Sequence, residues 1–160
     1  MSVDIESFRK EYKTQKKIEK IVISRELSRP KTTKAKIIIL YTLFAIMLLS
    51  SVIGIIILKL KVLYKILILV GFLLMLFEVY FRYCLIETVK CYQHYADSEI
   101  RRTCKCIPSC SEYAVLSFKN VFPLVVALYK IRRRLYVVCD GKDYKIDFPT
   151  KKTRDLFGEI

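Results

Sequence analysis

Two long apolar runs lie in the middle of the chain, with polar and mostly basic segments on either side of them. The first run, residues 37–58, reads IIILYTLFAIMLLSSVIGIIIL, which is 22 residues without a charge. A helix of this length extends about 33 Å, enough to cross the hydrocarbon core of a bilayer. A buried core helix is the alternative, but so long a run without a polar stripe is unusual in a chain of 160 residues. The pattern therefore predicts a transmembrane helix.

The second apolar run, residues 62–81, carries two charges. Lys65 lies near its start, where the aliphatic stem of a lysine can reach the membrane interface. Glu78 precedes Arg82 by four residues, an order that favours an ion pair along one helix. We predict a second transmembrane helix here, with an amphipathic segment at the interface as the alternative.

Basic residues flank both runs. Only three residues separate the runs, so residues 37–86 are predicted to form a transmembrane hairpin whose ends emerge on one side. Of the 29 Lys and Arg residues, 11 lie in residues 1–36, three around the connection and 15 from Arg82 onward. Because cytoplasmic segments tend to be basic, both termini are predicted to be cytoplasmic. A cleaved signal peptide is not expected after 36 residues of mixed charge.

Residues 1–36 are predicted to form a basic N-terminal arm. Within it, residues 8–27 (FRKEYKTQKKIEKIVISREL) have a helical pattern. Its apolar stripe ends before Pro30 and consists of Phe8, Tyr12, Ile18, Ile21 and Val22. Three interpretations of the basic face stay open. It contacts anionic lipid headgroups, it contacts ribosomal RNA, or it is a solvated charged tail.

Six cysteines follow the first run, and three of them crowd into the stretch TCKCIPSCSEYA, Thr103 to Ala114. Cytoplasmic cysteines are reduced, which makes zinc one hypothesis for the cluster. The tentative ligands are Cys104, Cys106, Cys110 and Cys139, with the lone His94 as an alternative fourth. However, C-x-C-x3-C is not the paired C-x2-C spacing of common zinc sites. The other interpretation is structural, since small apolar cysteines also suit a tightly packed turn.

A helix start is encoded in the same stretch. Ser109 and Glu112 have the spacing of a capping box, in which each side chain accepts a hydrogen bond from the other residue's amide. Pro108 favours an extended approach to this point. We therefore predict a helix from Cys110 to about Asn120.

The cysteine stretch also resembles a known family. Tyr92-Gln93 is followed after eleven positions by Cys104, and the order C-K-C-I-P-S-C-S-E-Y then continues without a gap. Over about Cys91 to Cys139 this arrangement is similar to the YidD family of membrane protein insertion efficiency factors, whose pattern contains C-[RK]-x-x-P-[ST]-C-S-x-Y. The family motif positions are Tyr92, Gln93, Cys104, Lys105, Pro108, Cys110, Ser111 and Tyr113. The loop before Cys104 and the residues after Cys139 depart from the family pattern.

The resemblance implies an accessory factor that helps newly made proteins enter the bacterial cytoplasmic (inner) membrane beside a YidC-type insertase. Implied partners are the bilayer with its anionic lipids, insertase or translocon components and the ribosome, but not DNA. No enzymatic activity and no cofactor are expected, since the chain has one His and neither a Gly-rich phosphate loop nor a nucleophile motif. The alternatives are a metal- or thiol-dependent membrane enzyme and a membrane-lytic, haemolysin-like protein.

The resemblance also implies a last helix, for which residues 124–135 fill the place. Its basic end is predicted to contact a partner or phosphate groups, and a solvated helix end is the alternative. The basic residues concerned are Lys130, Arg132, Arg133 and Arg134. Residues 135–148 either extend this helix or form a β-hairpin around Asp140-Gly141, which is a turn signal between β-branched and aromatic residues.

The predicted fold class is mostly α, a two-helix transmembrane hairpin with a basic helical arm and a small helical membrane-surface module that contains the Cys-rich turn. The predicted organisation is a basic arm at 1–36, the hairpin at 37–86, a YidD-like module at 87–149 and a polar tail at 150–160.

Overall fold

A computed structural model gives the fold and describes residues 5–57, 61–139, 141 and 143–155. Leu58 of the first predicted helix, Lys59 and Leu60 of the predicted connection, Asp140 of the predicted turn and positions 156–160 of the predicted tail lie outside the described residues. The protein is mostly helical, as predicted. The chain divides into two compact units: the apolar unit, Pro30–His94, and the cysteine unit, residues 5–29 with 95–155.

Two long helices make up the apolar unit. Helix α2 spans Lys34–Ile57, and α3 spans Val62–Tyr95 with a π-helical segment at Leu76–Phe81. Both are long and apolar enough to cross a membrane. Helix α3 continues past the predicted end at residue 81, because the hydropathy falls there but no proline or glycine stops the helix.

Helices α2 and α3 contact each other through aromatic and polar side chains. The ring of Phe44 stacks on that of Tyr80 at 5.7 Å, and the Tyr80 hydroxyl donates to the Leu40 carbonyl at 3.2 Å. Nearer the start of α2, Lys36 Nζ lies 2.7 Å from Glu87 Oε2. Early positions of α2 therefore meet late positions of α3, and the two helices run antiparallel. The expected ion pair between Glu78 and Arg82 is also present.

Most apolar side chains of these two helices point away from the unit. No side chain of α2 is buried among the described residues, and none is buried in Val62–Met75. Ile38 and Leu49, for example, are 64% and 65% exposed. Over α2 and Val62–Met75 the unit thus presents a long apolar surface, and its buried apolar residues Leu76, Cys84 and Ile86 lie further along α3.

The cysteine unit is built from short elements around one long helix. These elements are α1 Ile5–Ser24, α4 Ser98–Arg102, β1 Cys106–Ile107, α5 Cys110–Asn120, α6 Leu124–Arg133 with a π-helical continuation Arg134–Val138, β2 Lys145–Ile146 and α7 Lys151–Asp155. Helix α5 has the predicted bounds. The predicted β-hairpin alternative is wrong: the chain stays helical to Val138, and β2 pairs in parallel with β1.

Helix α1 is part of the cysteine unit. Ile18 and Val22 pack with Ile107 of β1 in one buried cluster. The Tyr144 amide donates to Gln15 Oε1 at 3.1 Å. Ile18 and Val22 of the predicted apolar stripe therefore pack on the cysteine unit, whereas Phe8 and Tyr12 of the same stripe are 67% and 59% exposed.

Candidate functional site

The four candidate metal ligands converge in the cysteine unit. Cys104 Sγ lies 3.4 Å from Cys110 Sγ and 3.7 Å from Cys139 Sγ. The sulfurs of Cys104, Cys106 and Cys139 all lie within 4.8 Å of one another, so they form a group that can hold a metal ion. We call these four residues the cysteine cluster. His94, the alternative ligand, belongs to the apolar unit.

The predicted capping box positions Cys110. The Ser109 amide donates to Glu112 Oε2 at 2.9 Å, and the Glu112 amide donates to Ser109 Oγ at 3.4 Å. Both halves of the box are therefore present, which confirms the prediction. As the first residue of α5, Cys110 has its backbone fixed by this cap.

A guanidinium from α1's C-terminal flank holds the loop that carries Cys104 and Cys106. Arg25 donates to the carbonyl of Cys106 at 2.9 Å, to that of Cys104 at 3.0 Å and to that of Arg101 at 3.3 Å. The planar fork of an arginine suits several acceptors at once. Arg25 is not among the predicted site residues, because no local signal links it to a loop about 80 positions away.

Strand pairing fixes the other side of the loop. Cys106 pairs with Lys145, and Ile107 pairs with Ile146. The Asp147 amide extends the ladder by donating to the Ile107 carbonyl at 3.0 Å. The segment that follows Cys139 therefore returns to the loop that precedes Cys110.

Arg134 is internal, which corrects its predicted role as a partner or phosphate contact. Its side chain is 1% exposed and donates to the Pro108 carbonyl at 2.9 Å. Its guanidinium also pairs with Asp147 Oδ2 at 2.8 Å and lies over the Tyr113 ring at 4.8 Å. Arg134 follows buried Leu124 and Ala127 at helical spacing, so it belongs to the inner face of α6.

The other basic residues of α6 divide between the two faces. Lys130 is half-buried and donates to the Pro149 carbonyl at 2.7 Å. Arg132 and Arg133 are exposed. Only these two of the four predicted contact residues have side chains presented to the surroundings.

The remaining motif residues lie in both units. Tyr92 and Gln93 are on α3 of the apolar unit, where Gln93 is buried. In the cysteine unit, Lys105 lies over the Tyr144 ring at 5.6 Å, and the Ser111 hydroxyl lies 3.4 Å from that of Ser109. The motif positions from Cys104 onward therefore all lie in the cysteine unit.

Three sulfurs of the cysteine cluster shift one another's pKa values in opposite directions. Hydrogen bonds from the thiols of Cys106 and Cys110 hold the pKa of Cys104 far below its ordinary value. The same bonds, together with burial, raise the pKa values of the Cys106 and Cys110 thiols. Burial lowers the pKa of Arg134, but the charges of Cys106 and Asp147 outweigh it, and the net shift is upward. The cysteine cluster therefore lies beside a buried, positively charged guanidinium.

Comparisons of the chain with protein-family models, curated proteins and solved structures found no match. The likeness to the YidD family consequently rests on the motif residues alone.

Proposed function

We propose that the protein is a membrane-bound accessory factor that assists the insertion of newly made proteins into the bacterial cytoplasmic membrane beside a YidC-type insertase. In this proposal α2 and α3 form a transmembrane hairpin, both termini are cytoplasmic, and the cysteine unit lies at the cytoplasmic surface. The protein is proposed to act by contact with its partners and to catalyse no reaction.

The observation that carries the proposal is the clustering of the motif residues. The pattern C-x3-P-S-C-S-x-Y supplies two sulfurs of the cysteine cluster, the cap of α5 and two of the groups around Arg134. Each of these residues has a distinct contact in one small unit. The motif that resembles the YidD family is therefore the framework of this unit, and this supports a shared role.

Exposed apolar surface supports the membrane part of the proposal. The core helix of a water-soluble protein is mostly buried. In contrast, the most apolar 18-residue stretches of α2 and α3 are 0% and 6% buried. Such a surface is stable when it faces lipid. Lys36 and Lys90 both pair with Glu87, so these charges lie together at one end of the two helices. Paired charges at a helix end fit a membrane boundary.

Exposed positive charge supports the partner part of the proposal. The inner face of α1 packs on the cysteine unit, and its outer face is basic. The exposed basic residues of α1 are Arg9, Lys10, Lys13, Lys16, Lys17 and Lys20. Anionic lipid headgroups and ribosomal RNA are both polyanions and are both attracted to such a face.

An insertion assay tests the proposal. A test membrane protein is synthesised in vitro in the presence of vesicles that contain a YidC-type insertase, with and without the protein. We expect the protein to increase the inserted fraction. We expect Lys10→Gln, Lys13→Gln and Lys17→Gln together to reduce this increase, because they remove charge from the outer face of α1.

A matched control removes the same charge elsewhere on the cysteine unit. Lys119, Lys151 and Lys152 are also exposed. Their combined replacement by Gln should leave the increase unchanged. An inserted fraction that does not respond to the wild-type protein would overturn the proposal. Release of a trapped dye from insertase-free vesicles would instead favour the membrane-lytic alternative.

A further inference from the structure

We propose that Cys104, Cys106, Cys110 and Cys139 bind one zinc ion in a closed, structural tetrathiolate site. The inference does not depend on the proposed function, because it concerns only how the cysteine unit is held together.

The sulfur distances fit tetrahedral coordination. A Zn–S bond is about 2.3 Å long, so two sulfurs on one tetrahedral zinc lie about 3.8 Å apart. The two distances from Cys104 Sγ, 3.4 Å to Cys110 and 3.7 Å to Cys139, are close to this value. A disulfide requires about 2.05 Å, and all six cysteines are free thiols. The sulfurs of Cys104, Cys106 and Cys139 lie within 4.8 Å of one another, and that of Cys110 lies 3.4 Å from Cys104, so one ion can be reached by all four after small side-chain movements.

The four ligands come from separately fixed pieces of backbone. Cys106 is held in β1 by pairing with β2, and Cys110 is held by the cap of α5. Cys139 follows the helical segment that ends at Val138, and Cys104 lies in the loop bound by Arg25. Because each position is set by contacts other than the sulfurs, the cluster is organised before an ion binds.

The surroundings offset the charge of such a centre. Zinc with four thiolates carries a net charge of about −2, which is costly beside buried groups unless a cation is near. The Arg134 guanidinium is buried, and its charge interacts with Cys106 and Cys110. Arg25 adds a second cation beside the carbonyls of Cys104 and Cys106. Arg134 thus offsets charge on the sulfurs, and Arg25 holds the backbone that carries two of them.

Four protein ligands leave no open position for water or substrate, which is the usual distinction between structural and catalytic zinc. The ion would connect the loop before α5 to the end of α6. Cys139 is separated from Cys104 by 35 positions, so the ion would close a long segment of chain. We therefore expect zinc to stabilise the unit and to have no direct part in any reaction.

Elemental analysis of the full-length protein, purified in detergent without chelators, tests the inference. We expect one zinc per chain in the wild type and a marked loss in Cys104→Ser and Cys139→Ser. Cys91→Ser is the matched control, since Cys91 is a half-buried cysteine of α3 outside the cluster. It should retain the full zinc content.

A second measurement on the wild type does not depend on variants that fold. Protein stripped with a chelator should bind Co²⁺ and develop the visible absorption bands of tetrahedral thiolate coordination, and Zn²⁺ should remove them. Wild-type protein that contains no zinc and gives no such bands would overturn the inference. Iron in place of zinc in the purified protein would also overturn the inference. So would a disulfide among Cys104, Cys110 and Cys139 in protein whose thiols are blocked before the cells are broken.

Discussion

Replacing Arg25 should weaken the attachment of α1 to the rest of the cysteine unit. The Arg25 side chain donates three hydrogen bonds to carbonyls of the loop before β1, at 2.9, 3.0 and 3.3 Å. Arg25→Ala removes all three donors. Arg25→Lys keeps the positive charge but replaces the planar fork with a single ammonium group, which cannot reach three divergent acceptors equally well.

The magnitude follows from the number and the exposure of these bonds. A hydrogen bond to a charged group contributes roughly 1.5–3 kcal/mol when it is well buried. Arg25 is only part-buried, and water can replace some of what is lost. We therefore expect Arg25→Ala to lower the free energy of unfolding by about 2 kcal/mol, and Arg25→Lys to lower it by less. For a unit as small as the cysteine unit, a loss of about 2 kcal/mol corresponds to a fall in melting temperature of roughly 10 °C.

Thermal unfolding in detergent, followed by circular dichroism, measures this effect. Arg29→Ala is the control, because Arg29 is an exposed arginine four positions further along the same flank. It should melt with the wild type. If Arg25→Ala and Arg29→Ala melt at the same temperature, α1 is not anchored to the cysteine loop and the assignment of α1 to this unit is wrong.

Two further changes probe other contacts of the fold. Ser109→Ala should destabilise the protein by about 1 kcal/mol through loss of the α5 cap. Glu112→Gln should destabilise it less, because the oxygen of the Gln side-chain amide can still accept a hydrogen bond from the Ser109 amide. Equal melting temperatures of Ser109→Ala and wild type would refute the role of the cap. Glu87→Gln leaves Lys36 and Lys90 without their shared carboxylate. A double-mutant cycle of Glu87→Gln with Lys36→Gln should therefore give a coupling energy of about 1 kcal/mol. Additive effects would show that the ion pair between Lys36 and Glu87 does not stabilise the apolar unit.

Local sequence signals predicted the elements whose causes are local. The cap at Ser109 needs only a partner three positions away, and the helix from Cys110 to Asn120 followed from it. The ion pair between Glu78 and Arg82 likewise needs one turn of helix. In such cases the spacing along the chain largely determines the geometry.

Contacts between distant segments could not be predicted in the same way. The stripe of Ile18 and Val22 has the same pattern whether it faces lipid or the chain's own β1. The parallel pairing of Cys106 with Lys145 involves only two residues in each strand, and the nearby Asp140-Gly141 turn signal suggested a hairpin instead. Two-residue strands leave almost no periodic signal.

The burial of Arg134 could have been predicted from the helical periodicity of the sequence. The helical repeat that buries Leu124 and Ala127 also carries Arg134 inward, whereas Arg132 and Arg133 fall on the exposed side. Reading the three arginines as one basic group overlooked this period of 3.6 residues. The convergence of the cysteines, by contrast, could not be predicted from spacing. C-x-C-x3-C is a weak metal pattern, and the proximity of Cys139 to Cys104 and Cys106 is a result of the fold.

Site-specific crosslinking in growing cells tests the proposed function most directly. Tyr12 lies on α1 and is 59% exposed, so a photoreactive phenylalanine at this position would report what the outer face of α1 touches. Tyr113, which is buried in the cysteine unit, is the control position and should give no crosslinks to other proteins. During active synthesis of membrane proteins, the proposal predicts crosslinks from Tyr12 to the insertase, the ribosome or a nascent membrane protein. Crosslinks to none of these, in cells where the protein is membrane-bound and folded, would contradict it.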